Sequence, residues 1–296
     1  CGTELVNVQL GPIGVQWATD RLHELVADAS ARLGLRVHMH LLESRYQREW
    51  LDATYPQGVM KFLDEIGLLS SRLTVAHGVW LRPDEMELLA SRGVIVSLNT
   101  SSNLRLGSGI APAREMVAKG VPVALGLDGL ALDDDDDALR EMRLADVVHR
   151  GPGFVAPLPR ESLFSASMKT APRAVTGQDN HGELAPGMAA DIVTLDYAGL
   201  SRGVIEGMVP EADLILARGT ARFVHSLWIA GRKVVDEGQV VSIDHEALER
   251  EVHAQISRQK EELQQQKPLV DSYQDAMRRY YLGGFHLCGK PSNGDV

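Results

Sequence analysis

The feature that most constrains this chain is a fivefold alternation of short apolar segments with helical stretches. Leu5–Leu10, Leu35–His40, Leu73–Ala76, Val94–Leu98 and Val121–Leu127 read as strands, because runs of Val, Ile and Leu are bounded by turn residues. After them, residues 20–33, 59–66, 84–91, 113–119 and 137–150 carry apolar positions at helical spacing. Strands joined through helices must run parallel, so the pattern predicts βα units. A doubly wound sheet and a (β/α)8 barrel both satisfy it. The polar residues favour the barrel: His40, His77, Asn99 and Asp128 stand at or just past the C-terminal ends of successive strands. Barrel enzymes assemble their sites on that rim.

From about Gly182 the texture changes. Residues 190–195 read as a strand after turns, and residues 224–235 as a hairpin about Ala230-Gly231. Beyond residue 244 the chain is rich in Glu, Gln and Arg and reads as a solvated amphipathic helix over 245–267 packed on the barrel. A second short helix is expected over 270–280, and disorder over 289–296. The expected domains are therefore 1–181, a partial (β/α) barrel; 182–243, part of a small β-sandwich; and 244–296, helices and tail.

Composition narrows the function. A formal net charge of −10 argues against a nucleic-acid partner. No run of about 20 apolar residues suggests a membrane span. Two cysteines, Cys1 and Cys288, make no disulfide framework, which fits a cytoplasmic protein. The Asp133–Asp137 run is better explained as favouring the start of the next helix than as a cation site. The first residue is Cys rather than Met, so a piece of a longer protein is expected.

Chemistry concentrates on the strand ends. His38 and His40 share one face of their strand, so either imidazole could ligate a metal, and Glu43 lies just beyond. His77 adds an imidazole on the next strand and Asp128 a carboxylate on a later one. Each alone reads as an ordinary polar residue at a strand end. Together on one rim they form a donor set of the kind zinc accepts.

Four stretches then occur in a telling order: His38-Met39-His40-Leu41-Leu42-Glu43-Ser44, Ala76-His77-Gly78, residues 98–109 beginning Leu98-Asn99-Thr100-Ser101-Ser102-Asn103, and Ala124-Leu125-Gly126-Leu127-Asp128-Gly129. They resemble the metal-dependent amidohydrolase superfamily, in its cytosine-deaminase and chlorohydrolase branch, and residues 182–191 resemble that family's return to its β-sandwich. The resemblance covers residues 5 to about 240 and implies barrel strands from about the fourth onward. It implies a hydrolase that deaminates a purine, pyrimidine, pterin or triazine ring with a water activated by one divalent metal, zinc before iron. His40 and Asp128 would hold the metal; Glu43, His77 and Asp128 would be catalytic. Glu43 would carry a proton to the ring nitrogen, His77 would hydrogen-bond the developing centre, and Asp128 would take the proton from water. Gln16, Trp17, Tyr46 and Asn103 are candidate substrate contacts, with Trp50 and Trp80 nearby for stacking. The family's His-x-His pair on its first strand, two further ligands, has no counterpart before Leu5. The alternatives are a chlorohydrolase on a similar ring and a non-catalytic fragment. The partner expected is a small heterocycle, with room for a homodimer.

Overall fold

The structure is a computed structural model that describes residues 5–133 and 135–287. Five strands, β1 (Gln9–Leu10), β2 (Arg36–Leu41), β3 (Leu73–His77), β4 (Ile95–Leu98) and β5 (Val123–Leu125), form one parallel sheet in the order β1-β2-β3-β4-β5. A doubly wound sheet reverses direction at a switch point. Here the order follows the chain throughout, as in a barrel wall.

Helices α1 (Asp20–Leu33), α2 (Arg45–Thr54), α3 (Val59–Glu65), α4 (Pro83–Arg92), α5 (Thr100–Arg105) and α6 (Ala113–Ala118) lie between these strands. Local chemistry sets several boundaries. Thr19 caps α1 by accepting from the Leu22 amide, and Gly34 ends it in a left-handed conformation. After β5, Asp137 caps α8 (Ala138–Val148), following the short α7 (Leu130–Asp133), by accepting from the Leu139 and Arg140 amides. The expected helix start in the acidic run is thus observed; Asp134 lies outside the described residues.

Strand alternation gives β2 its two faces. Val37, Met39 and Leu41 are buried in the main core with Leu51, Leu63, Met86 and Leu89 from the helices. Arg36, His38 and His40 face the other way. Each fully buried Leu or Met stabilises the fold by roughly 1.5–3 kcal/mol. Just before β1, Leu5, Val6 and Val8 are exposed.

Helices α9 (Arg160–Ser165) and α10 (Ala171–Thr176) flank a π-helical turn at Ala166–Thr170. The Ala174 carbonyl accepts from Gln9 and Arg36, tying this segment to β1 and β2. A second, antiparallel sheet follows in the order β6 (Ile192–Leu195), β7 (Val224–Ile229), β8 (Arg232–Asp236), β9 (Gln239–Val240). Between its strands lie α11 (Tyr197–Leu200) and α12 (Glu211–Arg218). The expected hairpin is present, with Ala230 at φ +49° and Gly231 at +75°, the two positive values of a tight two-residue turn.

The C-terminal region departs from expectation. A single helix, α13 (His245–Leu282), runs through Pro268 where two helices were expected. Proline removes one amide donor, and the helix continues across that loss. Nor does α13 lie along the barrel portion: Ile256, Leu263, Val270 and Tyr273 are exposed, and Tyr281 near its end packs against Tyr46 on α2. The turn after it, Phe285–Leu287, reaches α2. The 289–296 stretch and Cys288 lie outside the described residues.

Candidate metal-binding and catalytic site

Four side chains meet at the C-terminal ends of the parallel strands. His40 is on β2, and its neighbour Leu41 pairs with His77, the last residue of β3. Glu43 lies two residues past β2, and Asp128 three past β5. One ligand atom from each of His40, His77 and Asp128 falls within 4.8 Å of the others. His77 Nε2 lies 3.8 Å from Glu43 Oε2 and 4.0 Å from Asp128 Oδ2. The His40 and His77 rings stack, with centroids 5.3 Å apart.

The backbone is bent at these places. Leu42, His77 and Asp128 take φ of +55°, +75° and +70°. A non-glycine residue there costs about 1–2 kcal/mol, so the cost falls where side chains must be turned onto the rim. Gly78 continues the bend at φ +56°, and a Cβ there would meet Leu81 Cδ1 at 2.8 Å. Only glycine fits the Ala76-His77-Gly78 corner.

Each functional side chain is held. The Ile13 carbonyl, which can only accept, takes both the His40 amide and His40 Nδ1–H at 2.7 Å. That fixes the tautomer and leaves the Nε2 lone pair free for a ligand. Asn103 Oδ1 accepts from His77 Nδ1–H at 2.8 Å. His77 is fully buried, and its Nε2 has no hydrogen-bond partner. A buried, orphaned nitrogen among two carboxylates and a second imidazole is a donor set of the kind a divalent cation accepts. Ser102 Oγ donates to Asp128 Oδ2 at 2.6 Å, and Ser108 Oγ to Glu43 Oε1 at 3.2 Å. The Leu98–Gly109 stretch therefore steadies three of the four groups through Ser102, Asn103 and Ser108. Ser108 had no sequence signal beyond lying in that motif.

Glu43 is also positioned by the start of α2. Ser44 caps the helix, and Gln47 returns its Oε1 to the Glu43 amide at 2.7 Å. This Ser-x-x-Gln pattern is a local, sequence-level reason for Glu43 to sit at a helix entrance. Gln47 Nε2 then donates to Gln16 Oε1 at 2.7 Å. Trp17 places its ring edge-on to His40 at 5.9 Å. Tyr46 and Trp50 sit on α2, not in a loop, and with Gln16, Trp17 and Glu43 they line a cavity of about 260 Å3. Asn103, a candidate substrate contact, is buried and turned to His77. Trp80 donates its indole N–H to the Ser108 carbonyl at 2.9 Å. His38 lies on the open face of β2 among wall residues that still desolvate it; that desolvation, then the charges of His40 and His77, hold its imidazole below the usual value. Another cavity of about 290 Å3, lined by Met168, His181 and Asp191 among others, shares no residue with this cluster.

With this rim in view, likeness to known proteins becomes decisive. A sequence profile described as the amidohydrolase family matches residues 1–234. The chain belongs to the amidohydrolase family. Within it, a 5′-deoxyadenosine deaminase of Methanopyrus kandleri is 32% identical over 246 residues, covering 82% of this chain and 56% of the relative. A 5-methylthioadenosine/S-adenosylhomocysteine deaminase of Pelotomaculum thermopropionicum is 30% identical over 257 residues, covering 86% and 58%. Among solved amidohydrolase-like structures, an adenosine deaminase from Xanthomonas campestris with bound zinc superposes with a TM-score of 0.81 at 27% identity, covering 86% of this chain and 58% of that one. An atrazine chlorohydrolase from Arthrobacter aurescens complexed with zinc gives 0.74 at 28%, covering 83% and 54%. The chain thus spans a little over half the length of the relatives it matches. No helix among the described residues is long and apolar enough to cross a membrane.

Proposed function

We propose that this chain carries the rim of a deaminase that hydrolyses the exocyclic amine of a nitrogen heterocycle, with an adenine-type nucleoside as first choice. The observation that carries the reading is the convergence of His40, His77 and Asp128 within 4.8 Å, beside Glu43. Deaminases and zinc-containing structures among its relatives support it.

The donor set suits one divalent ion, zinc before iron, held by His40 and Asp128 with His77 close enough to join them. When bound, such an ion supplies Lewis acidity that makes water a nucleophile near neutral pH. The rest falls to the protein. Asp128, with one oxygen taking the Ser102 hydrogen bond, would receive a proton from the attacking water. Glu43 would deliver a proton to the ring nitrogen beside the attacked carbon. His77, whose Nδ1 is held by Asn103, would turn its Nε2 toward the reacting centre. Trp17 and Tyr46 would stack on the ring. The family resemblance assigns two further imidazoles to a His-x-His outside this sequence. A β-sandwich completed around the β6–β9 sheet and a barrel closed beyond β1 and β5 belong to the same proposal.

A chlorohydrolase on a similar ring is the second reading, favoured by the likeness to the atrazine enzyme. Glu43 favours deamination, because an amine leaves only once protonated whereas chloride does not need it. Ammonia and chloride release from matched amino- and chloro-substituted rings tests this in the zinc-loaded protein. Ammonia should dominate and vanish in Glu43→Gln. Chloride release that survives Glu43→Gln, without ammonia, overturns the assignment. Metal analysis of His40→Ala and Asp128→Ala should show the ion lost from both; full retention in both refutes the proposed ligands.

A further inference from the structure

The cavity beside Glu43 has a wall from an unexpected part of the chain. Besides Trp17 and Tyr46 it is lined by Tyr280, Tyr281 and His286, from the end of α13 and the turn after it. These lie beyond residue 234, where the family match stops. Their docking is specific. His286 is buried, and its Nε2 meets Glu49 Oε2 on α2 at 3.0 Å. Tyr46 packs against the Tyr281 ring at 4.8 Å and edge-on to His286 at 5.3 Å. Apart from Ala247, Met277 and Tyr281, α13 is exposed, and Met277 and Tyr281 lie at the end that carries this contact.

The wall is aromatic, and no Lys or Arg lines the cavity; its charged lining residue is Glu43, while Glu49, just behind His286, is already paired with Arg45. Such a surface stacks on flat or apolar groups and repels anions. The cavity of about 260 Å3 has room for a substituent larger than a bare amine.

We infer that the end of α13 and its following turn form the outer wall of the substrate pocket, where Tyr281 and His286 select rings bearing uncharged apolar substituents and reject anionic ones. The inference rests on the deaminase reading and adds a specificity element from outside the matched family region. It makes Tyr281 and His286 pocket-shaping residues with no part in proton transfer.

The test uses the whole zinc-loaded protein with adenine, 5′-methylthioadenosine and AMP as probes. Ammonia release is followed, and binding is read independently from the fluorescence of Trp17 and Trp50. In the parent protein AMP should bind about 100-fold more weakly than methylthioadenosine. Tyr281→Ala and His286→Ala should each lower the methylthioadenosine-to-adenine preference about tenfold. Tyr281→Phe, which keeps the ring, should restore it. An unchanged preference in both alanine variants, or AMP bound as well as methylthioadenosine, overturns the inference. Absence of ammonia from every ring would instead count against the deaminase reading, and the fluorescence titrations would still report on the wall.

Discussion

Replacing Asn103 with Ala probes the least replaceable contact in the site. Its Oδ1 is the acceptor for the fully buried His77 Nδ1–H at 2.8 Å. Without it, the imidazole has two choices. It can keep its proton on Nδ1, burying an unpaired donor at a cost of about 1–3 kcal/mol. Or the proton can move to Nε2, which then points N–H at Glu43 and Asp128, 3.8 and 4.0 Å away, and loses the lone pair facing the centre. A bias of that size against the working tautomer corresponds to roughly 5–150-fold. We therefore expect Asn103→Ala to lower kcat/KM by about 10–100-fold, the range seen when a partner orienting a metal-site imidazole is removed. Asn103→Asp keeps an acceptor and should recover much of the loss. Steady-state ammonia release, with a urea melt to show that the variant folds, makes the measurement. Zinc affinity by chelator competition separates the roles of His77: a parallel fall makes it a ligand, and a loss of kcat alone makes it a group acting on the reacting centre. A folded Asn103→Ala with kcat/KM and zinc affinity both within twofold of the parent refutes the argument.

Other consequences follow from the same structure. Arg48 and Glu85, both buried, pair through two contacts of 2.7 and 3.0 Å, and Glu85 also accepts from the Arg82 amide at the start of α4. Glu85→Ala should cost about 3–5 kcal/mol in a urea melt; a change below about 1 kcal/mol would show that Asp52 alone satisfies Arg48. Gly78→Ala adds a Cβ into Leu81 at φ +56°, so it should both destabilise the fold by about 1–3 kcal/mol and lower activity through His77; equal melting and turnover would contradict the corner argument. Burial pushes the His149 imidazole below its usual value, outweighing the opposing pulls of a hydrogen bond at Ala111 and the Glu115 charge. The unfolded histidine, with a pKa of about 6.5, takes up a proton that the folded one refuses. Stability is then full above about pH 6.5 and falls as pH drops toward the folded value. Melts from pH 7.5 to 5 should decline less steeply in His149→Gln, and identical slopes would dismiss the effect.

Much of this was legible beforehand because strand and helix signals are local. The run from Asp20 to Leu33 carries its own cap and stop, and β2 to β5 are short Val, Ile and Leu runs between turns. What was missed has local causes too. Helix α2 is polar, with Arg45, Arg48 and Glu49 in one short stretch, and its packing shows only once Leu51 meets the core and Arg48 meets Glu85. The proline in α13 suggested a break that the flanking helix-forming residues override.

By itself the sequence determined the parallel βα alternation and the residue types on one rim, because periodicity and strand-end position depend on the order of residues alone. Only the tertiary structure decided which of those residues meet. The register of β2 on β3 sets Leu41 opposite His77, and the bends at His77 and Asp128 turn their side chains toward one point. It also brought Tyr281 and His286, more than 200 residues away in sequence, onto Tyr46 and Glu49. Pairing across such separations has no local signature, since it depends on which apolar and polar surfaces remain unsatisfied once the nearer elements have packed.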